Sequence, residues 1–217
     1  MRCTCSAAEP AGAATPGKIA DIGAIIAAKR YDFVYQPIVD VSAGTVFGFE
    51  ALVRGPVGTA LYAADALLGA ALAAGRLLEL ECDAALAAIS AFGRLQLPGR
   101  LFINLSAPAI EVFAADRGSR LFRAAVEAGV APSRLMLELT EHERVEQPER
   151  LREALTVFAA QDIGLALDDF GDGRSSLRLW AQLQPGIVKL DKYFARDVHR
   201  DPRKVDVVRA MLTLAER

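Results

Sequence analysis

Apolar runs of strand length and apolar stretches with helical spacing take turns along this chain. Residues 33–39 and 45–53 read as two strands separated only by a turn around Ser42-Ala43-Gly44. So brief a link permits a hairpin but no parallel crossover, so this first pair is predicted to be antiparallel. Residues 19–28, ahead of the hairpin, have the spacing of a short amphipathic helix. Beyond the hairpin, the pattern predicts helices near 63–74 and 76–92, a strand at 101–105, one helix near 108–128 and a strand at 135–139. A helix near 148–161, with Pro148 in its first turn, then precedes a strand at 164–168. A short helix near 175–183, a strand at 187–190 and a helix over 203–215 complete the pattern.

Such alternation defines an α/β fold with a mostly parallel sheet, open or closed. In a (β/α)8 barrel, functional side chains sit at the C-terminal ends of different strands around one shared mouth. Glu50, Asn104, Glu138, Asp168, Asp169 and Lys189 all fall at such ends. An open doubly wound sheet fits less well, because its crevice draws on fewer strand ends. The pattern yields two strands fewer than the eight of a closed barrel, which takes about 250 residues. The expectation is therefore a TIM-barrel-like domain over residues 18–217 that stops short of its last two strands, preceded by a flexible tail over residues 1–17.

Composition narrows the possibilities. With 53% hydrophobic residues among 217, the chain can bury a sizeable core. Its 25 basic and 27 acidic residues nearly cancel, which argues against broad electrostatic capture of DNA, RNA or an anionic membrane. Asp65, Arg76 and Glu79 interrupt the longest apolar stretch, so no membrane-spanning helix is predicted. Cys3, Cys5 and Cys82 form no disulfide framework, the tail lacks the apolar segment of a signal peptide, and a cytoplasmic location follows as the expectation.

The chemistry lies in the strand-end residues. Ionised carboxylates are costly to leave in apolar surroundings without a partner. Glu50, Asn104, Glu138 and Asp168 are all oxygen donors, a set that suits Mg²⁺ or Mn²⁺ better than zinc or copper. Asp169 is placed to reach a second cation, and Lys189 to hold the attacking water or a phosphate, in the manner of two-metal phosphodiester hydrolysis. Singly, each residue has a plainer explanation: Glu50 in an ion pair with Arg54 or Lys189, Asn104 as a helix cap, Glu138 as an ordinary strand-end carboxylate. Asp169-Phe170-Gly171 matches a kinase triplet, but the chain has neither the glycine-rich loop nor the His-Arg-Asp loop that give it meaning.

Six motifs occur in order: Tyr35-Gln36-Pro37-Ile38-Val39; Glu50-Ala51-Leu52 followed by Arg54; Asn104-Leu105-Ser106; Glu138-Leu139-Thr140-Glu141; Asp168-Asp169-Phe170-Gly171 with Ser175-Ser176-Leu177; and Lys189-Leu190-Asp191. With them the sequence closely resembles the EAL family of cyclic di-GMP phosphodiesterases, from about Tyr35 to the last residue. The resemblance implies a (β/α)8-type EAL barrel that hydrolyses cyclic di-GMP to linear pGpG with Mg²⁺ or Mn²⁺, two ions in all. It implies Glu50, Asn104, Glu138 and Asp168 as metal ligands, Asp169 as a ligand of the second metal, and Lys189 as the residue that orients or activates water. Glu141 resembles the glutamate that anchors the loop after Asp169, and Gln36, Leu52 and Arg54 resemble substrate contacts.

Two departures accompany the resemblance. Asp172 and Arg174 stand where the family usually has Thr and Tyr. The seventh strand, with its Ala-Glu-Gly-Val-Glu motif, and the eighth, with its glutamine, have no counterpart, which implies either a fragment or a degenerate member. The alternative function is a catalytically inactive EAL-like module that binds cyclic di-GMP or a protein partner. A homodimer or an attached regulatory domain stays open.

Overall fold

The computed structural model describes residues 21–140, 145, 147–171 and 176–215. The expected tail over residues 1–17, Glu141, His142, Asp172 and Arg174 lie outside the described residues.

A short helix α1 (Ile22–Ala27), capped by the Asp21 side chain, precedes the hairpin of β1 (Asp32–Asp40) and β2 (Thr45–Arg54). Asp40 builds the turn: its Oδ1 accepts from the backbone N–H groups of Ser42 and Ala43, both at 2.9 Å, and Gly44 supplies the left-handed residue at φ 65°. The pair is antiparallel, as the short link predicts. Then follow α2 (Ala64–Ala73), α3 (Leu77–Arg94), β3 (Arg100–Asn104), α4 (Ala107–Ala115), α5 (Ser119–Glu127) and β4 (Leu135–Thr140). The chain continues through α6 (Pro148–Ala159), β5 (Gly164–Phe170), α7 (Ser176–Leu183), β6 (Ile187–Leu190), α8 (Lys192–Ala195) and α9 (Pro202–Ala215).

The single helix predicted near 108–128 is two helices. Arg117 and Gly118 take left-handed φ angles of 60° and 69°, and the Gly118 N–H reaches back to the Phe113 carbonyl at 2.9 Å. That closes α4 in the manner of a glycine C-cap. The Asp-Arg-Gly-Ser run is the sequence signal for the break, and the surrounding apolar periodicity masks it.

The strands form one curled sheet in the order β1 to β6, with β2 to β6 mutually parallel and β1 and β6 at its edges. It is a TIM-barrel-like α/β sheet of six strands, the number read from the sequence. Outward-facing Leu101, Ile103, Leu135, Leu137, Leu139 and Leu167 bury themselves against the helices, and Cys82 is part of the same core. Inward-facing Phe102, Met136 and Ala166 form a smaller apolar floor with Ile38, Phe47 and Ile187. Among the described residues no helix is long and apolar enough to cross a membrane.

Helix packing depends on one glycine. A Cβ on Gly93 in α3 would lie 2.2 Å from the Ala128 carbonyl oxygen at the end of α5, a backbone atom with little room to retreat. Gly93→Ala should therefore cost about 1–3 kcal/mol, although alanine ordinarily favours a helix. A thermal melt would register the loss as a lower Tm, and an unchanged or higher Tm would show that the two helices separate freely.

Candidate active site

Side chains alternate along a strand, so a residue two places after a member of the floor shares its face. Asn104 follows Phe102, Glu138 follows Met136, Asp168 follows Ala166 and Lys189 follows Ile187. Strand pairing sets these positions side by side: Asn104 is in register with Glu138, Glu138 with Ala166, and Glu50 with Phe102. An apolar floor is thus followed, toward the strand C-termini, by a polar layer.

Lys189 sits at the centre of that layer. Its Nζ lies 2.9 Å from Glu50 Oε2 and 3.4 Å from Asp168 Oδ1, and it also donates to Glu138 Oε1. Asn104 Nδ2 donates to Glu50 Oε1 at 3.0 Å. Side chains from five strands therefore form one network. Of the plainer pairings, Glu50 does meet Lys189. Arg54 instead donates to the Val53 carbonyl at 2.9 Å, and Ser106, not Asn104, caps α4.

Glu138 is wholly buried. Burial, reinforced by the Glu50 carboxylate, pushes its pKa up to about 8 against the opposing pull of Lys189. For Lys189, burial favours the neutral amine, but Glu138 and Glu50 outweigh it and hold the pKa above the usual lysine value. Lys189 is consequently an ammonium among these carboxylates, donating to them.

A bulge shapes the opposite wall. The pairing of β5 with β6 passes from Leu167–Val188 to Phe170–Leu190, so Asp168 and Asp169 together oppose Lys189. Asp169 takes a left-handed φ of 54°, a conformation Asp tolerates better than most residues. The bulge relaxes the alternation that would otherwise separate adjacent side chains, a device common beside active sites. Phe170 and Leu190 resume the pairing, and Asp191 then caps α8 by accepting from the Tyr193 N–H at 2.7 Å.

The remaining candidates are distributed around this network. Gln36 is exposed on β1 directly opposite Glu50, while Leu52 and Arg54 follow Glu50 on the same face of β2 and are half-buried. Leu52, Glu50 and Asn104 line a cavity of about 380 Å³ together with Asp65, Glu81 and Ser106. Ser106 Oγ donates to Glu81 Oε2 at 2.5 Å. Neither Asp65 nor Glu81 is a candidate from sequence, where one is an interruption of an apolar stretch and the other an unremarked helix residue. His199, Lys192 and Arg196, by contrast, are exposed surface residues.

Among the described residues no three His, Cys, Asp or Glu side chains surround a common metal position, and three of the carboxylates close on Lys189 instead. The donors nevertheless fit a hard divalent cation. They are all oxygen-bearing, and Glu138 Oε2 is buried without a hydrogen-bond partner, an oxygen that an incoming cation would satisfy.

Fold and site together define a TIM-barrel-like domain with an acidic mouth. The EAL domain matches residues 21–217, and the chain belongs to the EAL-domain family. A protein of Azorhizobium caulinodans is 34% identical over 192 residues, 83% of this chain and 26% of that protein. The cyclic di-GMP phosphodiesterase NbdA of Pseudomonas aeruginosa is 29% identical over 186 residues, 84% of this chain and 24% of NbdA. The chain spans about a quarter of the length of these two relatives. Among solved structures, the manganese and cyclic di-GMP complex of Klebsiella pneumoniae BlrP1 at pH 6 matches with a TM-score of 0.77 and 29% identity, over 86% of this chain and 47% of that one.

Proposed function

We propose that this chain hydrolyses cyclic di-GMP to linear pGpG with the help of divalent cations, Mg²⁺ or Mn²⁺. The observation that carries the reading is the convergence of Glu50, Asn104, Glu138, Asp168 and Lys189 from five strands on one point. Named relatives act on this nucleotide or bind it together with manganese, which supports the substrate class and the use of a divalent metal.

Glu50, Asn104, Glu138 and Asp168 would hold the first cation, and Asp169 would help to hold a second. Cations there would polarise a phosphate oxygen and lower the pKa of the attacking water. The residues of the chain do the rest. Lys189 donates to the water or to a phosphate oxygen and fixes the direction of attack. Arg54 has the planar donor fork suited to the phosphate of the substrate, Leu52 offers an apolar contact on the same face, and Gln36 faces them from β1. Glu141, whose position is undescribed, keeps its expected role as the anchor of the loop after Asp169. The product pGpG carries a 5′ phosphate, so water adds to phosphorus, the P–O3′ bond breaks and the 3′ oxygen takes a proton.

Incubating the purified chain with cyclic di-GMP and Mn²⁺, with products resolved by chromatography, tests the reading. Formation of pGpG that requires the metal and falls by about 10²-fold or more in Glu50→Ala is the expected result. Nucleotide binding without turnover would point instead to the inactive binding module. Absence of both would remove cyclic di-GMP as the ligand.

A further inference from the structure

The bulge that carries Asp169 is held from one side by an aromatic ring. Two residues past Asp169, Gly171 takes a φ of 106°, and a Cβ there would lie 2.6 Å from Phe194 Cε2 and 2.8 Å from Met211 Cε. The Phe194 ring thus rests against the Gly171 backbone. Asp169, at φ 54°, is itself in a sparsely populated conformation, and such strain persists only where the surroundings over-determine it. Phe194 in turn is fixed at both ends of α8. The Asp191 side chain caps the first turn. Lys204 from α9 closes the last, donating to the carbonyls of Tyr193 at 2.5 Å and Arg196 at 2.9 Å with its Nζ 4.2 Å from the centre of the Tyr193 ring. The Tyr193 and Phe194 rings meet edge to face at 5.2 Å.

We infer that Phe194 is a positioning residue for the hydrolysis: seated on Gly171, it keeps the bulge in its bent form and so holds the Asp169 carboxylate in place at the mouth. The inference rests on the hydrolytic reading of the site and adds to it a residue outside the six motifs. The contact acts over a short stretch of chain. Phe170, between Asp169 and Gly171, is fastened to β6 by its pairing with Leu190 and by the Asp191 N–H, 3.2 Å from its carbonyl. Beyond Phe170 the chain turns at Gly171, and the Phe194 ring blocks that turn from relaxing toward α8. Met211, the other neighbour, is a flexible side chain that gives way more readily. With the ring removed, Gly171 and Asp169 gain room to relax toward ordinary backbone conformations. A displacement of about 1 Å at a reacting centre can cost on the order of 10²-fold in rate.

The test is a kinetic cycle on the full chain with cyclic di-GMP and saturating Mn²⁺, comparing wild type, Phe194→Ala, Asp169→Asn and the double variant, with single-turnover rates for the weaker proteins. In Phe194→Ala kcat should fall by about tenfold or more, with KM changed by less than about threefold. In the Asp169→Asn background the same substitution should cost less than about twofold, because a residue that acts through Asp169 has nothing left to position. Equal losses in the two backgrounds, or an unchanged kcat in Phe194→Ala, overturn the inference. Hydrogen exchange read by mass spectrometry, without metal or nucleotide, tests it independently of turnover. Exchange in peptides covering residues 164–171 should quicken several-fold in Phe194→Ala while residues 135–140 stay protected, and the absence of a local change overturns the inference. Absence of pGpG from the wild-type chain overturns the hydrolytic reading instead, and the exchange result alone then decides whether Phe194 holds the bulge. Should Phe194→Ala fail to fold by circular dichroism, Phe194→Leu replaces it in both measurements.

Discussion

Glu138→Gln is expected to abolish hydrolysis of cyclic di-GMP while leaving the protein folded. Glutamine fills the volume of glutamate and removes the single wholly buried carboxyl group of the network. The metal-free protein should tolerate this. Burial already pushes Glu138 up to about 8, so a neutral amide resembles the protonated acid that the buried position favours. Lys189 also keeps Glu50 and Asp168 as partners. The liganded state should not tolerate it, because an amide oxygen is a poor substitute for a carboxylate against a divalent cation. The expected pattern is a kcat lower by about 10²–10³-fold, with a Tm within a few degrees of wild type. Initial-rate measurements at saturating Mn²⁺ and a thermal melt check the two halves separately. Activity retained within about tenfold would show that Glu138 is a structural carboxylate and that the cation sits elsewhere.

The strands were legible in the sequence because their apolar runs are bounded by turn residues, and the observed strand ends lie within about two residues of the predicted ones. Period-two alternation then predicts the polar layer. Once Phe102, Met136, Ala166 and Ile187 face inward, Asn104, Glu138, Asp168 and Lys189 must do the same. The boundary between α4 and α5 was hidden for a complementary reason. Phe113, Leu121 and Ala125 are all buried, so the helical apolar pattern runs across the break, and only the left-handed pair Arg117 and Gly118 marks it.

Geometry that arises between strands leaves a weaker trace. The bulge opposite Lys189 depends on how β5 and β6 are registered, and adjacent aspartates in a sequence carry no record of it. Likewise, the sequence places Lys189 at a strand end but says nothing of its closing on three carboxylates. Ser106 and Glu81 illustrate the same limit. They are 25 residues apart and meet at 2.5 Å only because α3 packs beside the start of α4.

Phe92→Ala should produce the largest loss of stability, and it would reach the active site through the hairpin. Phe92 is 1% exposed on α3, with the rings of Tyr35 at 5.9 Å and Phe49 at 6.3 Å, so it ties both strands of the hairpin to the helix layer. The Arg134 guanidinium covers its ring at 5.2 Å while donating to the carbonyls of Leu97 and Gly99, which adds the entry to β4 to the same contact. Truncation leaves a cavity that these anchored neighbours cannot fill, at a cost of about 3–5 kcal/mol. For a chain of this size that corresponds to a drop in Tm of roughly 10 °C, and to a lower urea midpoint with little change in slope. Phe49 immediately precedes Glu50 on β2, so loosening Phe49 should also blur the position of Glu50 against Lys189 and Asn104 and lower kcat in the protein that remains folded. Phe92→Leu, which restores much of the volume, should recover most of both losses. A Phe92→Ala protein within about 3 °C of wild type would mean that the hairpin is held by its own strand pairing and not by this aromatic cluster.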